Sequence, residues 1–297
     1  VEGGCIDMKS LMIGMLAETA IHPGSGRSSG FVDLPVARES TTQYPVIVGS
    51  SLKGALKDYA REIWPDNNTE SGGKKEREMK PEVARLFGRQ ESAGNLVVSD
   101  AKLLLLPVRS LTGHYRWATC PYLLERIRRD AQRTRYETMM NGLKISAKPE
   151  KGKVLANKND NIYLEEREFQ VSGKIEESFI NEIKKLVVHD DTANRLNEQL
   201  IILNDDDFYW FASYGLQISA RNVLDVDTKE SKNLWYEETL PLDSLFYTLL
   251  FFRKDDTLKD AVPLLKDLKY LQVGGNETVG QGWFAMKLIA PDKAGEV

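Results

Sequence analysis

LQISARNVLDVDTKESKNLWYEETLPLDSLFYTLLFF, Leu216–Phe252, joins two kinds of strand in one run. LQISARNVLD and NLWYEETLP alternate apolar and polar residues on either side of the polar VDTKESK. Period-two alternation turns one strand face to protein and the other to water. Two such runs around a polar turn read as a β-hairpin over 216–240. The final LFYTLLFF does not alternate. An unbroken apolar run of that length reads as a strand covered on both faces, and it is less than half of a membrane span. Near its turn the hairpin carries Val223, Leu224 and Val226. Exposed apolar strands of that kind aggregate unless something covers them.

Outward from this run, a helix is expected over roughly 255–268, and GWFAMKLI reads as a closing strand. Toward the N-terminus, Met8–Thr19 and YPVIV (44–48) read as strands. A helix follows through SLKGALKDYAREIW, with Ser50 or Ser51 as its cap and Leu52, Leu56, Tyr59 and Ile63 on one buried face. NLVVSDAKLLLLPV (95–108) and NIYLEEREFQV (161–171) are strand-like. CPYLLERIRRDAQR, KIEESFINEIKKLVV and DDDFYWFASYG are helical, Pro121 being acceptable in a first turn. Asn204 or Asp205 would cap the last of these. Three consecutive carboxylates, Asp205 to Asp207, suit a helix N-terminus better than one metal ion. The charge-dense stretch 65–80 reads as a mobile loop, and 138–160, without clear period, as a mobile insertion. Strands and helices do not follow a βαβ rhythm. The expectation is an α+β fold with a mostly antiparallel sheet, one domain over 1–297 with insertions.

The chain has 297 residues, 41% apolar and 28% charged, as in ordinary globular proteins. A net charge of −4 excludes a uniformly basic surface and leaves room for a local basic groove. Cys5 and Cys120 form no CxxC pair, which argues against a disulfide framework or a zinc site and fits a reducing cytoplasm. VEGGCIDMKS lacks the features of a signal peptide and reads as an N-terminal extension.

Three glycine-rich stretches could meet phosphate. IHPGSGRSSGFVDLPVARE (21–39) holds three glycines, His22 and a lone aspartate, Asp33. GSSLKG (49–54) places Ser50, Ser51 and Lys53 at a helix N-terminus, and GGNETVGQG (274–282) could form a nest of backbone N–H groups. Neither a Walker nor a Rossmann pattern is present. Between Lys102 and Arg135, eight Lys or Arg stand against two acidic residues, interleaved with His114, Tyr115, Trp117 and Tyr122. That mixture suits single-stranded nucleic acid as well as it suits a solvated helix face with pairs such as Glu125 and Arg129. His114 and His189 have no partner set for metal or nucleophilic chemistry.

HPGSG with VDLPVARE, YPVIVGSSLKGALK, LPVRSLTGHYRWATCPYLLER, LWYEETLP and GGNETVGQGWF, in this order over nearly the whole chain, resemble the RAMP superfamily. Within it they are similar to the backbone-subunit family of type III-B CRISPR effector (Cmr) complexes. The resemblance implies a modified RRM-like (ferredoxin-like) palm, a helical fingers insertion and a β-hairpin thumb. It also implies copies stacked along a guide CRISPR RNA, other Cmr subunits as partners, no membrane, and metal-dependent cutting of complementary target RNA at regular intervals. Asp33 takes the cutting position and would hold Mg²⁺ or Mn²⁺. His22 and Glu238 lie near the cut. Lys53, Ser50, Ser51, Arg38, Gly24, Gly26, Gly274, Gly275, Gly280 and Gly282 would hold RNA. The alternative is a non-catalytic RNA-binding scaffold of the same kind of complex.

Overall fold

The computed structural model describes residues 9–26, 31–71, 74–158 and 160–289. In chain order these form β1 (Lys9–Ala17), β2 (Val46–Ile47), α1 (Gly49–Ile63), β3 (Asn67–Ser71), β4 (Lys74–Glu78), α2 (Pro81–Phe87), β5 (Gly88–Arg89), β6 (Ser92–Ala93), β7 (Leu96–Val98), β8 (Ala101–Arg109) and β9 (Tyr115–Thr119). They continue with α3 (Pro121–Arg133), α4 (Glu137–Gly142), β10 (Lys153–Ala156), β11 (Ile162–Leu164), β12 (Arg167–Gly173), α5 (Glu177–Lys184), α6 (Asp190–Gln199), β13 (Leu200–Leu203) and α7 (Asp205–Tyr214). Last come β14 (Gln217–Leu224), β15 (Ser231–Thr239), β16 (Leu245–Phe252), α8 (Asp255–Asp267), β17 (Tyr270–Gln272) and β18 (Trp283–Ile289). None of these helices is long and apolar enough to cross a membrane.

The architecture is mixed α/β around one 12-stranded sheet, ordered β11-β12-β10-β13-β9-β8-β16-β1-β18-β17 with β2 and β7 attached at its middle. Most pairings are antiparallel; β10 with β12 and β13 with β9 are parallel. Helices cover both faces. Leu52 and Leu56 of α1, Leu86 of α2, Phe208 of α7 and Leu264 of α8 pack with Phe246, Leu250 and Phe252 of β16. Leu124 and Ile127 of α3, Phe179 and Ile183 of α5, and Leu196 of α6 pack with Leu245, Tyr247, Leu249 and Phe251 on the other face. Cover on both sides is why LFYTLLFF needs no polar alternation. The hairpin β14–β15 is a separate two-stranded sheet.

Several expectations change. The 65–80 stretch forms a backbone hairpin, Asn67 opposite Glu78 and Ser71 opposite Lys74. Gly72 and Gly73, between these strands in sequence, lie outside the described residues. The 138–160 stretch contains α4 and β10, and β10 lies inside the sheet between β12 and β13. NIYLEEREFQV is two strands, because Glu165 turns with φ of 49° and sends β12 back along β11. Asn204 caps α7 as expected, accepting from the Asp206 N–H. The acidic triplet disperses: Asp205 accepts from the Tyr122 N–H that opens α3, while buried Asp207 pairs with Arg167.

Candidate functional site

The loop that carries Asp33 is stitched to the root of the hairpin. The Asp33 and Leu34 N–H groups both donate to the Tyr236 carbonyl, at 3.1 and 3.0 Å, and the Glu238 N–H donates to the Leu34 carbonyl at 3.0 Å. In return the Tyr236 N–H donates to Asp33 Oδ2 at 2.8 Å. Asp33 is exposed, so one side of its carboxylate is fixed by the arm and the rest faces solvent. Phe31, two residues away, is 100% exposed, and Tyr236 is 44% exposed.

His22 and Glu238 are near this point and buried, but they are committed to holding the loop. His22 Nδ1 lies 2.8 Å from the Glu238 carbonyl, which can only accept, so that nitrogen carries the proton. Glu238 accepts from the Val36 N–H at 3.0 Å and from Arg38 Nη2 at 2.7 Å. Arg38 also donates to the carbonyls of Gln43 and Ala212, so its guanidinium is engaged within the protein. Sequence reasoning missed Glu237, which is only 2% exposed. Its carboxylate meets Arg221 Nε of β14 at 3.0 Å, His22 Nδ1 at 3.8 Å and the Asn276 side-chain amide of the glycine-rich loop. The available signal was the pair Glu237-Glu238 itself. Neighbouring residues on a strand face opposite sides, so two adjacent buried carboxylates mark where the arm enters the body.

The glycine-rich C-terminal loop packs against the first. The Gly275 N–H donates to the His22 carbonyl at 2.9 Å, and the Gly282 N–H to the Ala20 carbonyl at 3.1 Å. With the Gly280 N–H bonded to the Glu277 carbonyl, three of the four glycine amides are engaged internally. The expected N–H nest is therefore not formed by these three. The glycines serve close approach instead: Gly274 has φ of 104°, and a Cβ there would stand 2.9 Å from the His22 carbonyl oxygen. His22, Gly24, Gly26, Ser51, Gly274 and Gly275 line one groove of about 740 Å³.

Ser50 and Lys53 line a different groove, of about 520 Å³, together with Arg253. Neither serine caps α1. Val48 is the cap residue, and the Gly49 N–H donates to Asp100 Oδ1 at 2.7 Å. Asp100 thus already sets a negative charge at this helix N-terminus. Lys53 donates to the Leu96 carbonyl at 3.1 Å. Burial, then the charges of Arg253 and Lys57, hold its ammonium pKa below the usual lysine range. In the basic-aromatic stretch, four cations are tied internally: Lys102 to Asp130, Arg109 to Glu165, Arg126 to Glu39, and Arg116 to the Glu198 carbonyl. Arg129 pairs with Glu125 across one helix turn at 3.8 Å. Lys102, Arg116 and Arg126 are thereby largely covered, whereas Arg109 and Arg129 stay more than half exposed. Burial pushes the nearby Cys120 thiol up to about 12, so it is inert.

Comparison with known proteins adds what geometry alone does not. Residues 15–285 match the family model described as the RAMP superfamily. The CRISPR system Cmr endoribonuclease Cmr4 of Pyrococcus furiosus is 33% identical, over 95% of this chain and 96% of that protein. The crystal structure of oligomeric Cmr4 from Pyrococcus furiosus is similar with a TM-score of 0.71 at 27% identity, covering 95% of this chain and 98% of that one. A chain of the type III-B Cmr-beta complex bound to cognate target RNA has a TM-score of 0.77, over 94% of this chain and 97% of that one. At 22% identity, that last likeness concerns the fold alone.

Proposed function

The chain belongs to the RAMP superfamily, in its Cmr4 family, and on that premise we propose that it is a backbone subunit of a type III-B CRISPR effector complex that cuts target RNA. In this reading copies stack head to tail along a guide RNA, beside other subunits of the complex, in the cytoplasm. The antiparallel part of the sheet is the RRM-like palm, the helices inserted beside it are the fingers, and β14–β15 is the thumb. The observation that carries the reading is Asp33, an exposed carboxylate oriented by the Tyr236 N–H at the root of a projecting arm.

Cleavage proceeds by attack of a 2′-oxygen on the adjacent phosphorus. The P–O5′ bond breaks as the 2′-proton leaves and the 5′-oxygen takes one up, leaving a 2′,3′-cyclic phosphate. The reaction needs the 2′-oxygen, phosphorus and 5′-oxygen in line, which a stacked duplex forbids and a splayed nucleotide permits. The arm supplies the splaying and Asp33 stands at the scissile phosphate. His22 and Glu238 hold the Asp33 loop in place, and Lys53 and the loop glycines border the RNA.

Among the described residues no group of three or more His, Cys, Asp or Glu is placed to hold a metal. A lone carboxylate sharing the ion with phosphate oxygens and waters is a donor set that suits Mg²⁺. A divalent cation, Mg²⁺ or Mn²⁺, on Asp33 would neutralise charge building on the phosphate.

The test is to purify the protein in its complex, identify the RNA it carries, and add a complementary RNA with and without chelator. Regularly spaced fragments with cyclic phosphate ends, lost on chelation, are expected. Tight binding without fragments would leave only the scaffold reading, and a complex carrying no small RNA would overturn both.

A further inference from the structure

Glu237 has no part in the chemistry above, yet it is the most deeply buried carboxylate at the hairpin root. Each of its contacts belongs to a different segment. Arg221 comes from β14, the other strand of the arm. Asn276 comes from the glycine-rich loop, where it holds a left-handed φ of 63° and donates both to Glu237 and to Gln281. His22 comes from the loop that leads to Asp33. On either side of Glu237 in the chain, Tyr236 fixes Asp33, and Glu238 fixes Val36 and Arg38. A buried carboxylate is tolerable only when its oxygens are this fully partnered, and removing one partner exposes the cost.

We propose that Glu237 is a positioning residue that fastens the arm, the glycine-rich loop and the Asp33 loop into one unit, so that where the arm meets RNA determines where Asp33 stands. The proposal rests on the reading of Asp33 as the cutting carboxylate. Without the tether, β15 still holds the Asp33 loop through its backbone, but β14 and the glycine-rich loop lose their side-chain link to that loop, and a two-stranded ribbon has little stiffness of its own. A shift of about 1 Å in a reacting group costs on the order of 10²-fold in rate.

The test uses assembled, guide-loaded complexes and compares Glu237→Ala, Glu237→Gln and Asp33→Asn. Guide content, target affinity and single-turnover cutting are measured for each. Glutamine keeps an acceptor for Asn276 and Arg221, alanine keeps none. Glu237→Ala is expected to bind guide and target as the parent does and to cut on the order of 10²-fold more slowly, with cuts scattered around the parent positions. Glu237→Gln should recover most of that rate. Parental cutting by Glu237→Ala overturns the proposal. A glutamine variant as impaired as the alanine one also overturns it, since the charge and not the tether would then matter. An alanine complex that no longer assembles or binds RNA overturns it too, because the role would be general stability. If Asp33→Asn cuts at the parental rate while Glu237→Ala is slow, the reading of Asp33 fails and the tether does not.

Discussion

β16 and the hairpin β14–β15 come from one run of sequence and use similar residues, yet they meet opposite fates. Every residue of β16 is buried, between β1 and β8 in the plane and between two helical layers above and below. In the hairpin, Ile218, Val223, Leu224, Leu234 and Tyr236 are exposed, and Val226 at the turn is 79% exposed. Only Glu237, Glu238 and Thr239 at its root are buried. The turn itself is well made. Asp225 Oδ1 accepts from the N–H groups of Asp227 and Thr228, and Lys229 adopts φ of 60°. An arm with a hydrogen-bonded tip, apolar sides and no cover among the described residues is built to meet something else. In a family of RNA-cutting assemblies, the guide–target duplex and a neighbouring copy are the candidates. The sheet holds the buried core, and the arm holds exposed apolar surface.

Replacing 219–231 by a short Gly-Ser turn is the severest way to break that contrast. The protein should fold and carry guide RNA, while regularly spaced cutting disappears, because no target nucleotide is splayed. Fragments at unchanged positions on a sequencing gel would show that the arm is not the wedge. Phe246→Ala probes the other side. Phe246 is fully buried edge-to-face against Phe284, at 6.1 Å between centroids. Its loss should cost about 3–5 kcal/mol in denaturant unfolding, as for other large-to-small core changes.

Lys53→Glu falls between the two regions. It should weaken guide binding whatever the guide sequence, and lower the salt slope by about one unit if one phosphate contact is lost. An unchanged affinity and slope would make Lys53 a packing lysine that serves only the Leu96 carbonyl. The smallest effects belong to the hairpin tip. Val226→Ser should change unfolding free energy by no more than about 0.5 kcal/mol while weakening target engagement. The Asp225 carboxyl is held down at about 2 by Lys232 first, then by the Thr228 and Asp227 N–H groups, from an ordinary 3.8. Its folded-state pKa is depressed, so its support of the turn is present above pH 3.8 and is lost as pH falls through about 2. Carboxyl chemical shifts followed by acid titration would check this directly.

Much of the body was legible because its elements announce themselves locally. β1, β16, β18, α3 and α7 stand where apolar runs or helical spacing put them. β13 was not legible. Its LIIL is too short to separate from the end of α6, and it becomes a strand only by pairing with β9 and β10, distant in sequence. β10 was hidden for the same reason, inside a stretch whose composition resembles a loop. At the site, the glycine loops and the lone Asp33 were visible as residue types. What they touch was not. The engagement of the Gly275 and Gly282 amides, the Asp100 carboxylate at α1 and the partners of Glu237 are all long-range contacts that leave no periodic trace.

Cutting is assigned here to the exposed carboxylate at the arm's root, and Asp33→Asn in an assembled complex is the decisive variant. Asparagine keeps an oxygen to accept from the Tyr236 N–H, so the loop geometry survives while the charge is removed. Target binding on a native gel and fragment yield on a denaturing gel should then separate completely, with parental affinity and no fragments. Fragments at the parental rate and positions would take the cutting role away from Asp33.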